Sequence, residues 1–520
     1  MKTKLALTAA VGAVLGSAVH AADWPMWGGA AERNLFSSET GLPNSFEPGD
    51  YLSGSEDIDL ETTKNVKWVT KLGSQAYGNT TVADGRLFIG TNNESPRDEK
   101  HIGDRGVVYC LDEETGALNW QLVAPKLGAG KVSDWEFLGI CSSPAVDGDR
   151  VYVVSNRCEI LCLDVHGMAN GNQGYADEGL YMAGAGNAPV EPGATDADIL
   201  WVFDMRDELG VFPHNIASSS VLVVGDRLYC TTSNGQDWSH LNIPSPLAPT
   251  LICLNKETGE LLGEELSGIS EGILHCNWSS PSAGTFGGKQ LVVFGAGDGK
   301  CYAYDPVPVY NEDEGLDELP EVWRFDCIPD DYKIDEDGEE LIYPDPEGPS
   351  EIIATPVVYK ERVYISLGQD PEHGEGVGRL VCIDGTKSGD ITESGLIWEY
   401  RKINRTISTV GIDPNSGLLF AADYSGFVYC LDAETGEEHW VYDMKAHMWS
   451  SPLVADGKVY VADEDGDLVI LPAKAGFDPK NDDPIFETYF AAPVYSSPVA
   501  SNGVLYVASQ THLYAIESAE

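Results

Sequence analysis

Two stretches of this chain are near copies of each other: His275, Cys276, Asn277, Trp278, Ser279, Ser280, Pro281, and His447, Met448, Trp449, Ser450, Ser451, Pro452. A third, Phe212, Pro213, His214, Asn215, keeps the His without the Trp. Imidazole near neutrality carries protons and ligates metals, and indole offers a flat apolar face with one polar edge. Neutral imidazoles beside carboxylates suit Zn²⁺ or Cu²⁺, so His214, His275, His373 and His447 form a candidate metal set. None of them stands in a tight ligand spacing such as His-Glu-x-x-His. Two further loops add Arg157 with Glu159, and His373 with Glu375 in the Gly-rich run from Asp370 to Gly376. Arg157 or Arg405 could clamp a carboxylate in bidentate fashion, or pair with the chain's own abundant acids. A purely structural alternative is that each Trp covers strand ends and each His bonds backbone.

These residues must be held by a repeat that occurs eight times. Each copy has a two-residue turn: Asp84-Gly85, Asp147-Gly148, Gly225-Asp226, Gly287-Gly288, Lys360-Glu361, Ser416-Gly417, Asp456-Gly457 and Asn502-Gly503. All but the Lys-Glu pair suit positive φ, and β-branched or aromatic runs follow them. A small residue then recurs at Cys110, Cys162, Cys253, Ala303, Cys382 and Cys430, and Trp68, Trp120, Trp201, Trp323, Trp398 and Trp440 mark a further strand. The pattern predicts an all-β, eight-bladed β-propeller of four-stranded antiparallel blades. The last unit has no Trp strand and the Trp68 strand has no unit before it, so the N-terminal strand should close the ring and remove an open sheet edge. In that frame His214, His275 and His447 fall in loops leading into innermost strands. His101, His240, His373 and His512 fall in loops between second and third strands, on the same face. Ligands collect in such concavities.

The block from Tyr429 to Trp440, with Asp432, Thr435 and Gly436, resembles the repeat of the PQQ-like (quinoprotein alcohol dehydrogenase-like) propellers, and Asp23 to Trp27 is similar to their opening. The resemblance spans residues 65–520, preceded by a lead-in over 22–64. It implies one of two lives. Quinone-dependent dehydrogenases of the family hold PQQ between a Trp and an adjacent-cysteine disulfide, with Ca²⁺ on Glu and Asn or Asp and a catalytic Asp. This chain has no Cys-Cys pair and no segment matching those catalytic motifs, though Trp135 and Trp238 could stack. It also lacks Cys-x-x-Cys-His, so electrons would need an external acceptor. The other life is that of a silent scaffold like the exported, lipid-anchored propeller that assists outer-membrane protein assembly.

Residues 1–21 read as a secretory leader, with Lys2 and Lys4, an apolar run from Leu5 to Val19, and Ala21 at the cut; no Cys follows for a lipid anchor. A periplasmic or secreted monomer without a transmembrane segment is expected. The formal charge of -51 argues against nucleic acid. Five of the eleven cysteines are equivalent repeat positions, too far apart to bridge; a bond among Cys141, Cys158, Cys276 or Cys327 stays open. Asp463 to Asp467 and Asp335 to Glu339 resemble fragments of calcium loops, or tight turns. The stretches 167–198 and 307–349 are expected as loop insertions. The leading expectation is a binding or scaffold protein with a protein, small-molecule or carbohydrate ligand at a His- and Trp-rich mouth. The alternatives are a PQQ-dependent dehydrogenase of an alcohol or sugar, and a metal-dependent enzyme.

Overall fold

The computed structural model describes residues 23–518, so the expected leader lies outside the described residues. Eight sheets form the ring, and in the first seven the chain runs from the innermost strand outward, with a tight turn joining the first two strands of each. Blade 1 is Thr81–Ala83, Arg86–Asn92, Arg105–Asp112 and Leu118–Pro125. Blade 8 has Val499–Ser501, Val504–Ala508 and His512–Ile516, and takes its outermost strand, Val66–Lys71, from the start of the chain. That closure is the one the repeat count requires. The Lys360-Glu361 turn, which lacks glycine, holds both residues at positive φ (50° and 62°) and keeps the hairpin twist at the cost of local strain.

The small repeat residue and the tryptophan face each other in register: Cys110 pairs with Trp120, Cys162 with Trp201, Ala303 with Trp323, Cys382 with Trp398, Cys430 with Trp440 and Ala515 with Trp68. Only a small side chain leaves room opposite an indole. Each of these indoles then reaches the next blade. Trp68 Nε1 donates to Glu113 O, Trp120 to Val165 O, Trp201 to Lys256 O, Trp323 to Gly385 O, Trp398 to Ala433 O and Trp440 to Lys474 O, at 2.9–3.3 Å. Gly116 shows why a glycine follows Thr115: its φ is +69°, and a Cβ there would lie 2.6 Å from the Trp68 ring. All eleven cysteines are free, including the four left open.

Residues 167–198 carry a short helix, Glu178–Ala183. Residues 307–349 are not one insertion. A hairpin, Val309–Asn311 with Leu316–Glu318, adds to the outer edge of blade 3, and Glu321–Asp326 is blade 4's own outer strand. The two calcium-like fragments are turns closed by their first aspartate: Asp463 Oδ1 accepts the N–H of Asp465, Gly466 and Asp467, and Asp335 Oδ1 those of Asp337 and Glu339.

The lead-in does more than precede the ring. On the face away from the histidine loops it threads the channel and meets every blade. Innermost-strand N–H groups of Val82, Val146, Ala283, Val358 and Val454 donate to Trp24, Pro25, Ala31, Glu32 and Leu35 carbonyls, and Ile412 N–H to Asn34 Oδ1. Ser37 Oγ donates to Ala500 O in blade 8. Arg33, fully buried, donates to carbonyls of Trp27, Ser220, Val221 and Pro281, reaching blades 3 and 4. The inner edge of every blade, otherwise open to the channel, is thereby occupied.

Candidate functional site

Above this plug the innermost strands are tied by a belt of small polar side chains. Backbone N–H groups donate from Asn79 to Ser143 Oγ, Ser143 to Ser220, Ser220 to Ser280, Thr355 to Thr409, Thr409 to Ser451, and Ser451 to Ser497; Ser497 N–H returns to Asn79 Oδ1. At Thr355 the plug enters the belt, since Trp27 Nε1 donates to its Oγ1 at 3.0 Å. Belt and Trp27 form the lower wall of a cavity of about 470 Å³ that opens on the histidine face. This is a pocket of small-ligand size.

Its upper wall is aromatic and acidic. Trp449 stacks on Tyr495 (centroids 4.7 Å apart, planes 21°), and Tyr77 leans on both at 5.8 and 5.3 Å. Trp278, held by Nε1 donating to Ile216 O, and Trp135 also line the cavity. Glu136, Asp370 and Glu372 supply carboxylates, and among the described lining residues there is no Lys or Arg. Burial holds the Asp370 carboxyl above its ordinary range, and Asn215 Nδ2 donates to it at 3.4 Å.

Beside Trp278 stands a cluster of imidazoles from blades 3, 4 and 5. His214 Nε2 lies 2.8 Å from His275 Nε2 and 3.3 Å from His240 Nε2. His373 packs against His240 and His275 with ring centroids 5.3 and 5.0 Å away. His214 Nδ1–H donates to Gln236 O at 2.7 Å, which leaves a lone pair on Nε2. His275 Nδ1 meets the Tyr343 hydroxyl at 2.9 Å, and that hydroxyl lies 3.3 Å from Glu351 Oε1. Burial first, then neighbouring imidazoles, pushes His214 down to about 3; burial pushes His275 to about 3 as well. Both are neutral. Burial raises the fully enclosed Glu351 to about 7.

The sequence set therefore divides. His214, Asn215, His275, Trp278 and His373 come together, and Trp449 lines the same cavity from across the ring. His447 does not join the imidazoles. It stacks on Tyr424 (4.3 Å) and bridges Glu464 Oε1 at 2.8 Å through Nδ1 and Glu375 Oε1 at 3.1 Å through Nε2, because its blade is 7 and the cluster belongs to blades 3, 4 and 5. Arg157 is spent on Glu159 Oε1 at 2.8 Å, and Tyr181 and Ser155 hydroxyls fill the other oxygen. Arg405, buried, spends its guanidinium on carbonyls of Pro344, Asp345 and Gly348, so neither arginine is placed to clamp a ligand. His240, Tyr343, Glu351 and the cavity's Tyr77 and Tyr495 were outside the sequence set. His240 had one signal, its loop on the same face as His214 in the same blade.

His447 carries a pH prediction. Burial opposes its charge, but the hydrogen bonds the imidazolium donates to Glu375 and Glu464 outweigh that and raise its pKa above 6.5. Its contribution to stability is thus full below 6.5 and lost as pH climbs through the raised value. The parent protein's melting temperature should fall across neutrality and His447→Gln should flatten that fall; an unchanged pH profile would assign no weight to this pair.

Fold and cavity define the class: a plugged propeller with a ligand-sized cup at one mouth. The chain belongs to the PQQ-like repeat family described as the outer membrane protein assembly factor BamB, whose pattern matches residues 61–236 and 393–477. Among solved structures it is similar to BamB from Moraxella catarrhalis (TM-score 0.53, 13% identity, 87% of this chain and 99% of that one). It is also similar to a quinohemoprotein alcohol dehydrogenase from Comamonas testosteroni (0.59, 12%, 96% and 81%) and a europium-containing methanol dehydrogenase (0.54, 12%, 94% and 89%). At these identities the likeness is one of fold. No curated protein sequence matches the chain.

Proposed function

We propose that this chain is an exported binding protein, periplasmic or secreted, whose cup takes a neutral or cationic ligand with a flat apolar face, a carbohydrate ring foremost. One observation carries the reading: the cup combines Trp and Tyr faces with carboxylates and hydroxyls and, among its described lining residues, brings no basic side chain. Sugars offer apolar faces to aromatic rings and hydroxyls to acid oxygens. PQQ, a tricarboxylate, would meet Glu136, Asp370 and Glu372 without a compensating Lys or Arg, so the donor set does not fit it. The leader-like residues 1–21 support export, and family membership supports a protein partner as a second role for the same ring.

Titrating neutral, amino and uronic oligosaccharides against tryptophan fluorescence tests this. Neutral or amino sugars should quench, uronates should not, and Trp278→Ala and Trp449→Ala should each weaken binding about three- to tenfold, the worth of one aromatic stack. Binding of none of them would remove the carbohydrate reading, and equal binding of all three would remove the charge selectivity the acidic lining implies.

A further inference from the structure

We propose that His214, His240 and His275 form a mononuclear transition-metal site, taking Zn²⁺ or Cu²⁺ through three Nε2 atoms. The inference goes beyond the cup's organic ligand and rests on different residues. All three donor atoms lie within 4.8 Å of one another. Tetrahedral ligation at about 2.0–2.1 Å spaces nitrogen donors about 3.3 Å apart. The His214 to His240 separation already has that value, and the His214 to His275 pair at 2.8 Å needs to open by about half an ångström to reach it. An all-imidazole set selects zinc or copper over calcium or magnesium, which prefer oxygen.

The surroundings are those of a built site. His214 is fixed in the Nε2-ligating tautomer by its Nδ1–H bond to Gln236 O. His275 has an outer chain of its own, Nδ1 to Tyr343 OH to Glu351. Without metal, His275 Nε2–H donates to His214 Nε2 and Tyr343 O–H donates to His275 Nδ1. On metal binding the His275 proton sits on Nδ1 and donates to the Tyr343 oxygen, whose own proton turns to Glu351. The ring changes tautomer and no net proton is released. His240 is held at φ +54°, a conformation uncommon for a residue other than glycine, at the tip of a loop pinned by Asp237 with Ser239 and Asn242. With three protein ligands the fourth position is left for water or a ligand, the arrangement of reactive rather than structural zinc.

The other triad of metal-binding types, Asp98, His101 and Asp196, already contains Lys100 Nζ at 2.5 Å from Asp196 and 3.1 Å from Asp98. An ammonium stands where an ion would.

The test uses the full mature chain, stripped by chelation and titrated with Zn²⁺ by calorimetry and with Co²⁺ by visible absorption. One equivalent should bind, and Co²⁺ should give the intense bands of a tetrahedral nitrogen site. His240→Ala, a half-buried loop position, should melt like the parent and lose more than a hundredfold in affinity. Glu351→Gln should cost about tenfold, as outer partners of ligating histidines do. His447→Ala should change nothing. Failure of the parent to bind either ion, an octahedral Co²⁺ spectrum, or parental affinity in His240→Ala would overturn the site. None of these readouts involves sugar, so the cup's ligand is judged separately.

Discussion

Arg33→Ala should lower the unfolding free energy by about 3–5 kcal/mol, the scale of losing several charge-assisted hydrogen bonds in a buried site. Arg33 is fully buried, and its guanidinium gathers four carbonyls from the lead-in and blades 3 and 4. Its removal takes the donor from all four of those oxygens at once. Arg33→Lys should be nearly as costly, because an ammonium cannot present the planar fork that meets four acceptors. Denaturant unfolding checks both variants. A loss under about 1 kcal/mol would mean that the plug only fills space, since that is the range of surface changes.

Trp120→Ala should cost a similar amount, about 3–5 kcal/mol, as expected for truncating a buried aromatic. The indole is 1% exposed, packs on Phe88 at 5.9 Å, and donates to Val165 O in the next blade. Trp120→Phe keeps the ring's contact but not the hydrogen bond, and should recover more than half of the loss. The comparison isolates what links one blade to the next. Equal losses in both variants would place the weight on the N–H bond rather than on packing.

The ring was legible because its signals are short-range and repeated. Turn pairs, the small residue opposite Trp, and glycine after Thr recur at one spacing, and each reports a local steric demand. Gly116 shows how far this goes: it answers to Trp68 in the preceding blade, a contact implied by the repeat though not visible within one copy. The plug was not legible, since residues 24–37 have no periodicity; their role lies in matching eight strand edges brought together only by closure.

The site was legible by face and not by sector. The repeat assigns a loop to the mouth, but which mouth residues meet depends on blade neighbourhood. His447 copies the His275 sequence yet sits three blades away, among Glu375 and Glu464. His240 was underweighted because it lies in a long loop without a motif, and Tyr343 because it falls within 307–349, expected as a loop insertion, with Glu351 just beyond its end. The arginines misled for a different reason: both found partners within the fold, Arg157 an acid and Arg405 backbone carbonyls.

The most direct measurement is calorimetric titration of the mature chain with a neutral oligosaccharide and, in parallel, with PQQ plus Ca²⁺. The structure predicts saturable binding of the sugar that is weakened in both Trp278→Ala and Trp449→Ala, and no stoichiometric uptake of the quinone. Stoichiometric PQQ binding with no response to sugar would contradict it and return the cup to the dehydrogenases.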